Sequence, residues 1–152
     1  MAVLRADRPY VQFNFLVNIQ DGEADPSGFT GGFQEVSGIG MEVTVSEYRA
    51  GNDPDNGVRK ITGLNKATDV TLKRGVIGAL TLYNWLDQIR NGVPNQLRDV
   101  VIQLQSEDHK PVMTWRLLRA RITKCTYGPM NAKGTDVAME EMIIAYERLK
   151  ME

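Results

Sequence analysis

Cysteine and histidine are each present once, as Cys125 and His109. A single thiol cannot close an internal disulfide, and one imidazole with no clustered cysteines cannot build a zinc site. Charge of one sign is lacking too: 18 basic residues against 19 acidic ones leave a net charge of −1. No bulk attraction to nucleic acid or to an anionic membrane follows from that balance. Apolar runs are short, and none approaches the ~20 residues of a membrane-spanning helix. Met1 to Arg8 is polar and lacks the apolar run of a signal peptide, so synthesis and folding in the cytoplasm are expected. With 42% hydrophobic residues the composition is that of a globular protein, and 152 residues fit one domain, 1–152.

The motifs that would carry chemistry fail when their spacing is checked. His109 sits among Glu107, Asp108 and Lys110 in an expected turn, and a nucleophile triad would have to borrow this same residue. Asp21 to Asp25 opens like a calcium loop, but Pro26 and Gly32 occupy the positions that need Gly and Glu. Asp53 to Gly57 fails in the same way, with Leu64 at its closing position. Gly38 and Gly40 lead into an alternating, strand-like segment and not a helix, with Val43 where a phosphate loop needs its third glycine. No catalytic residue, metal or cofactor is therefore expected. Cys125 reads as a buried, inert thiol.

What is present is strand grammar. Gly31 to Gly40 (GGFQEVSGIG) places two glycine clusters around short apolar runs, as tight turns between strands require. Met41 to Glu47 then alternates, with Met41, Val43 and Val45 on a packing face and Glu42, Thr44 and Ser46 on a wet one. Further strands are expected over Val11 to Ile19, Phe33 to Ser37, Thr68 to Lys73, Val100 to Leu104, Val112 to Leu118 and Ala120 to Tyr127. Asp21 to Gly32 reads as a loop, Ala50 to Gly57 as a projecting one, and Ser106 to Pro111 as a hairpin turn. From Val76 the spacing becomes helical, with Leu82, Trp85, Leu86 and Ile89 on one stripe and Asn91, Gly92 and Pro94 as the stop, giving a helix at about 76–91. The tail fits a helical stripe (Ala138, Met142, Ala145, Leu149) as well as a strand, and periodicity alone favours the helix.

Two charged clusters remain. Glu47, Tyr48 and Arg49 end a strand beside a polar loop, a setting that suits a protein contact because Tyr and Arg are over-represented there. Lys73 and Arg74 make too small a basic patch for nucleic acid and are expected in ion pairs with acidic partners, on this chain or another subunit.

Taken in order, these segments resemble the tail tube family of contractile phages and the inner tube proteins of phage-derived extracellular contractile injection systems. The resemblance is carried by Gly31 to Gly40, Glu47 to Arg49, Gly51 with Asn52, Lys60 with Gly63, Thr71 to Gly75, Leu82 to Trp85, Trp115, Gly128 with Pro129, and Val137 to Leu149, and it spans nearly the whole chain from about Phe13. It implies a mainly β (α+β) fold: an antiparallel β-barrel or sandwich flanked by one helix, with an extended loop about 46–63. It further implies six copies per ring, rings stacked into a tube, inner strands shared around a lumen, and a strand over Val137 to Leu149. Partners implied are the chain itself, a surrounding sheath, baseplate and tube-terminating proteins, and cargo (DNA or protein effector), with no stable membrane insertion and eventual incorporation into a phage tail or injection particle. On this reading Glu47, Tyr48, Arg49, Asn52, Lys73 and Arg74 lie at subunit interfaces, and Glu42, Thr44 and Ser46 face the lumen. Two departures stand out: His109 where relatives often have Gly or Asn, and Arg116 to Ala120, more basic than usual. The alternative is a small monomeric β-barrel module that binds a ligand or peptide.

Overall fold

The computed structural model describes residues 7–21, 25–77, 80–94 and 96–152. Its elements are β1 (Phe15–Asp21), β2 (Asp25–Gly31), β3 (Glu35–Ser37), β4 (Met41–Tyr48), β5 (Arg59–Ala67), β6 (Val70–Gly75), α1 (Thr81–Arg90), β7 (Arg98–Gln105), β8 (Pro111–Tyr127), β9 (Met139–Ala145) and β10 (Arg148–Met151). Every pairing is antiparallel. Eight strands form one sheet in the order β2-β1-β7-β8-β9-β6-β3, with β10 also on β8, and β4 and β5 form a separate two-stranded ribbon.

The long strand β8 is the spine. Its first part pairs with β7 and its second with β9, and the change of partner falls beside Arg119, whose φ of 53° is left-handed. The Asp99 carboxylate accepts the Arg119 amide there at 3.2 Å. One ladder irregularity at this point bends the strand, as a bulge does. Strands β9 and β10 follow each other along one edge of β8, and the break between them at Tyr146 and Glu147 lies opposite that bend.

The bend curls the sheet around one core. Val17, Ile19, Val70, Leu72, Val100, Ile102, Leu117, Ile122, Met142 and Ile144 fill it, each at most 2% exposed. Helix α1 closes this core through Leu82 and Trp85, the buried part of the apolar stripe, and Leu86 and Ile89 pack at its margin. The Trp85 indole donates to the Gln96 carbonyl at 2.8 Å, so its polar edge is satisfied inside. Gly92 takes a φ of 76° just past the helix end, where the turn needs it. Among the described residues no helix is long and apolar enough to cross a membrane.

Several expectations need correction. The helix begins at Thr81 and not at Val76, because the Val76 amide is spent on the Ala138 carbonyl and prolongs the β6–β9 ladder. The first strand starts at Phe15 and not at Val11, its pairing with β7 running out at the Gln105 amide, which donates to the Asn14 carbonyl at 2.9 Å just before the hairpin turn. The expected loop from Asp21 to Gly32 contains β2, an edge strand that needs only backbone pairing and so tolerates Pro26. Ala120 to Tyr127 is no separate strand but the second part of β8. The tail is β9 and β10, as the resemblance implied and periodicity did not. In β9 every second residue is buried (Glu140, Met142, Ile144) and the others are half-buried, so apolar residues on both faces blurred the alternation.

Candidate functional site

The ribbon of β4 and β5 stands apart from the main sheet. Tyr48 still pairs with Arg59, so the expected extended loop of 46–63 shrinks to a turn between those two residues, and β5 is a strand that sequence reasoning missed. Its cause is visible at Gly63. A side chain at Gly63 would bring Cβ to 2.7 Å from the Thr44 hydroxyl, and the ladder shifts register between Val43 and Val45. That irregularity put Ile61 and Leu64 out of phase with any alternating pattern. The Asp55-Asn56-Gly57 turn signal was the available clue to a hairpin.

The root of this arm is fixed. Gly38 has a φ of 87°, and a Cβ there would lie 2.4 Å from the Asp69 carbonyl oxygen. The Tyr146 hydroxyl donates to the Gly40 carbonyl at 2.9 Å, and the Thr68 hydroxyl donates to the Gly38 carbonyl at 2.6 Å. These bonds tie the start of β4 to the end of β5 and to the turn after β9. At the tip, Arg49 donates through Nε to the Asp55 carbonyl and through Nη2 to the Asp53 carbonyl, each at 3.0 Å. Asp53 accepts the Asp55 amide and Asp55 accepts the Gly57 amide, which sets the turn.

Between root and tip the arm is bare. Met41, Val43 and Val45 are 59%, 45% and 54% exposed, so the apolar face expected to pack is only about half covered. Glu42 and Ser46, on the opposite face, are exposed and stand across from Lys66 and Ile61. Thr44 is half-buried and donates to the Leu64 carbonyl at 3.1 Å, closing the irregularity in the ribbon. Glu47 lies opposite Lys60, and Tyr48, Arg49 and Asn52 are exposed. Nine candidate residues thus divide: the seven on the arm are brought together, and Lys73 and Arg74 are not among them.

Those two sit in the body of the fold. Lys73 lies 3.8 Å from Glu35 on the neighbouring strand, with both side chains partly exposed. Arg74 is 1% exposed and bonds Glu140, itself 4% exposed, at 3.1 Å, from directly opposite positions on β6 and β9. The Arg74 guanidinium also lies 5.9 Å from the Phe33 ring centroid. An acidic partner for Arg74 on another subunit is therefore corrected to one on its own chain, since burial removes this charge from any outer surface. Cys125, 3.8 Å from Glu140, is half-buried and not fully buried as expected. Burial raises its pKa, opposed by a hydrogen bond with Tyr127. His109 occupies the hairpin turn at a φ of 63°, the left-handed region that Gly or Asn adopts more readily.

A separate open groove of about 820 Å³ lies where β1, β7 and β8 face β3, lined by Phe13, Phe15, Val36, Ile39 and Trp115 among others. Phe13 is 67% exposed at its mouth. Among the described residues no group of His, Cys, Asp and Glu gathers as metal ligands would.

Comparison with known proteins gives a consistent picture. The family described as T4-like virus tail tube protein gp19 matches residues 11–150. A chain of the anti-feeding prophage baseplate, solved by cryo-EM and 6-fold symmetrised, is 27% identical with a TM-score of 0.86, over 96% of this chain and 97% of that one. A chain of the PVC sheath–tube complex, an extracellular contractile injection system in its extended state, is 26% identical with a TM-score of 0.79, over 97% and 93%. A chain of the gene transfer agent virion shares the fold at 12% identity and a TM-score of 0.59, over 91% and 95%. No curated protein sequence matches the chain significantly.

Proposed function

The chain belongs to the T4-like virus tail tube protein gp19 family and has a structural, tail-tube role, and from that premise we propose that it assembles into stacked hexameric rings enclosing a conduit for cargo. The exposed arm is the observation that carries the reading. An isolated two-stranded ribbon is marginal in water, and this one leaves an apolar face about half exposed and, among the described residues, no strand on either outer edge. Neighbouring copies remove these liabilities at once if each arm packs against the next subunit and the strands close into a ring. The anti-feeding prophage relative was symmetrised six-fold, which supports six copies per ring.

In the assembled tube Glu47, Tyr48, Arg49 and Asn52 contact the adjacent subunit, and Glu42, Thr44 and Ser46 line the bore. Lys73, half-exposed beside Glu35, contributes at the rim of the contact, and Arg74 acts only by holding β6 and β9 in register. Partners are a sheath around the tube and baseplate and cap proteins at its ends, the settings in which the PVC and anti-feeding prophage relatives were solved. The mechanism is passive: contraction of the sheath drives a rigid tube forward, and cargo, DNA or protein, travels through it.

Electron microscopy of the purified protein is the test. Rings or tubes are expected, and Arg49→Glu, which removes both carbonyl bonds at the arm tip, should abolish them while leaving a folded monomer by circular dichroism. Normal tubes from that variant would remove Arg49 from the interface. A wild-type protein that stays monomeric would instead favour a small binding module, with the groove beside Phe13 and Trp115 as its ligand site.

A further inference from the structure

The chain holds two Asn-Gly dipeptides, Asn56-Gly57 and Asn91-Gly92. Such a pair can react with itself, because glycine has no Cβ to shield its nitrogen from the neighbouring side-chain amide. Residue type does not separate the two, and neither does burial, since all four residues are exposed. Their backbone surroundings do.

Asn91 caps the C-terminal end of α1. Its amide donates to the Asp87 carbonyl at 2.9 Å, the Gly92 amide to the Ile89 carbonyl at 3.2 Å, and the Val93 amide to the Gln88 carbonyl at 3.1 Å. Gly92 is also set at a φ of 76°. The Gly92 nitrogen therefore cannot turn onto the Asn91 side chain without undoing the helix stop. Asn56 stands instead in the turn at the tip of the β4–β5 ribbon, beyond the last pair, Tyr48 with Arg59. There the Gly57 amide donates to the Asp55 carboxylate at 3.1 Å, and among the described residues no backbone carbonyl holds it. An exposed side chain swings aside without opening any ladder bond, so the local cost of freeing this nitrogen is small. The nearest atoms to a Cβ built on Gly57 are those of the same carboxylate, at 3.7 Å, an ordinary contact.

We propose that Asn56 is a modification site: in the folded subunit it deamidates and isomerises spontaneously, with water as the second reactant, whereas Asn91 is held unreactive. The Gly57 nitrogen attacks the side-chain carbonyl carbon of Asn56 and loses its proton. The new C–N bond replaces the bond to Nδ2, which leaves with that proton as ammonia, and a cyclic imide remains. Water then opens the imide at one carbonyl or the other, giving aspartate or isoaspartate, and no oxidant or reductant takes part. Aspartate adds a carboxylate beside Asp53 and Asp55. Isoaspartate routes the main chain through the side-chain carbon and lengthens the turn whose Asp53 and Asp55 carbonyls accept from Arg49. The free α-carboxylate of isoaspartate is the substrate class of protein isoaspartyl carboxyl methyltransferases, with S-adenosylmethionine as methyl donor. The site is independent of the tube reading.

Incubation of the soluble subunit at mildly alkaline pH, then trypsin and tandem mass spectrometry, reads the two sites separately. Cleavage after Arg49, Arg59, Arg90 and Arg98 puts them on peptides 50–59 and 91–98. Asn56 is expected to convert about tenfold faster than Asn91, in line with a modest opening cost at the helix end, and the difference should vanish in urea. Peptide 50–59 should accept a methyl group from an isoaspartyl methyltransferase, and peptide 91–98 should not. Gly57→Ala, which the space at this position admits, should suppress conversion at Asn56, with thermal unfolding as the check that the fold is kept. Three results would each overturn the proposal: Asn91 converting as fast as Asn56 in the folded subunit, an Asn56 that reacts in urea but not in the native subunit, or a Gly57→Ala variant that converts like the wild type.

Discussion

Strands β6 and β4 carry similar apolar–polar alternation, and their surroundings differ completely. Along β6 Val70, Leu72 and Arg74 are buried by β3 on one side, β9 on the other and the core beneath. Along β4 Met41, Val43 and Val45 stay about half exposed, and its one paired neighbour, β5, is itself exposed over nearly its whole length. Alternation reports that a strand has a face worth covering. It does not report whose atoms will cover it. In a chain that assembles, the second strand of such a pair is where the missing subunit belongs.

That contrast can be broken from either side, and the body should break hardest. Glu140→Gln leaves the buried Arg74 charge without its carboxylate, and loss of one partner of a buried pair costs about 3–5 kcal/mol. Urea denaturation should show a loss of that size, and a change below ~1 kcal/mol would mean that water or another group reaches Arg74. The arm should respond in the opposite manner. Val43→Glu with Val45→Glu is expected to shift monomer stability by only about 0.5 kcal/mol, as exposed positions do, while rings and tubes disappear. Tubes seen by electron microscopy in that double variant would show that this apolar face is not a contact.

Two smaller effects sharpen the picture of the body. His109→Gly relieves a left-handed backbone at an exposed turn but enlarges unfolded-chain entropy, so a net gain of about 1 kcal/mol or less is expected in thermal unfolding. The Cys125 thiol, raised in pKa chiefly by burial, should react with iodoacetamide more slowly than an unfolded control at the same pH. Its sign for stability follows: above the ordinary thiol value the unfolded chain loses its proton first, so stability falls as pH rises through that range. Equal alkylation rates would place the thiol in water.

Much of the body was legible from local signals, because α1 and β6 to β8 bury their faces within the chain and so display clean periods. The helical stripe of Leu82, Trp85, Leu86 and Ile89 and the hairpin around Ser106 to Pro111 are cases in point. Strand β2 was not legible, since an edge strand rich in Gly and Pro is held by backbone bonds that leave no mark on side-chain pattern. Nor was β5, where Gly63 shifts the register and hides the alternation. At the candidate site, Glu47, Tyr48, Arg49 and Asn52 stand out by residue type, whereas Lys60 and Arg59, which lie across from Glu47 and Tyr48, carry no local signal once the register shift hides their strand.

Local spacing and residue type alone fix the strand-rich, one-helix character of the fold and the order of segments that marks the tail tube family. Both act over a few residues at a time. Only the packed fold decided that Arg74 meets Glu140 inside its own chain, that β2 and β5 are strands, and that the Met41, Val43 and Val45 face stays about half exposed. Each of these depends on which distant segment lies alongside, and pairing across 66 residues, as between Arg74 and Glu140, is set by the whole packed sheet and not by any local pattern.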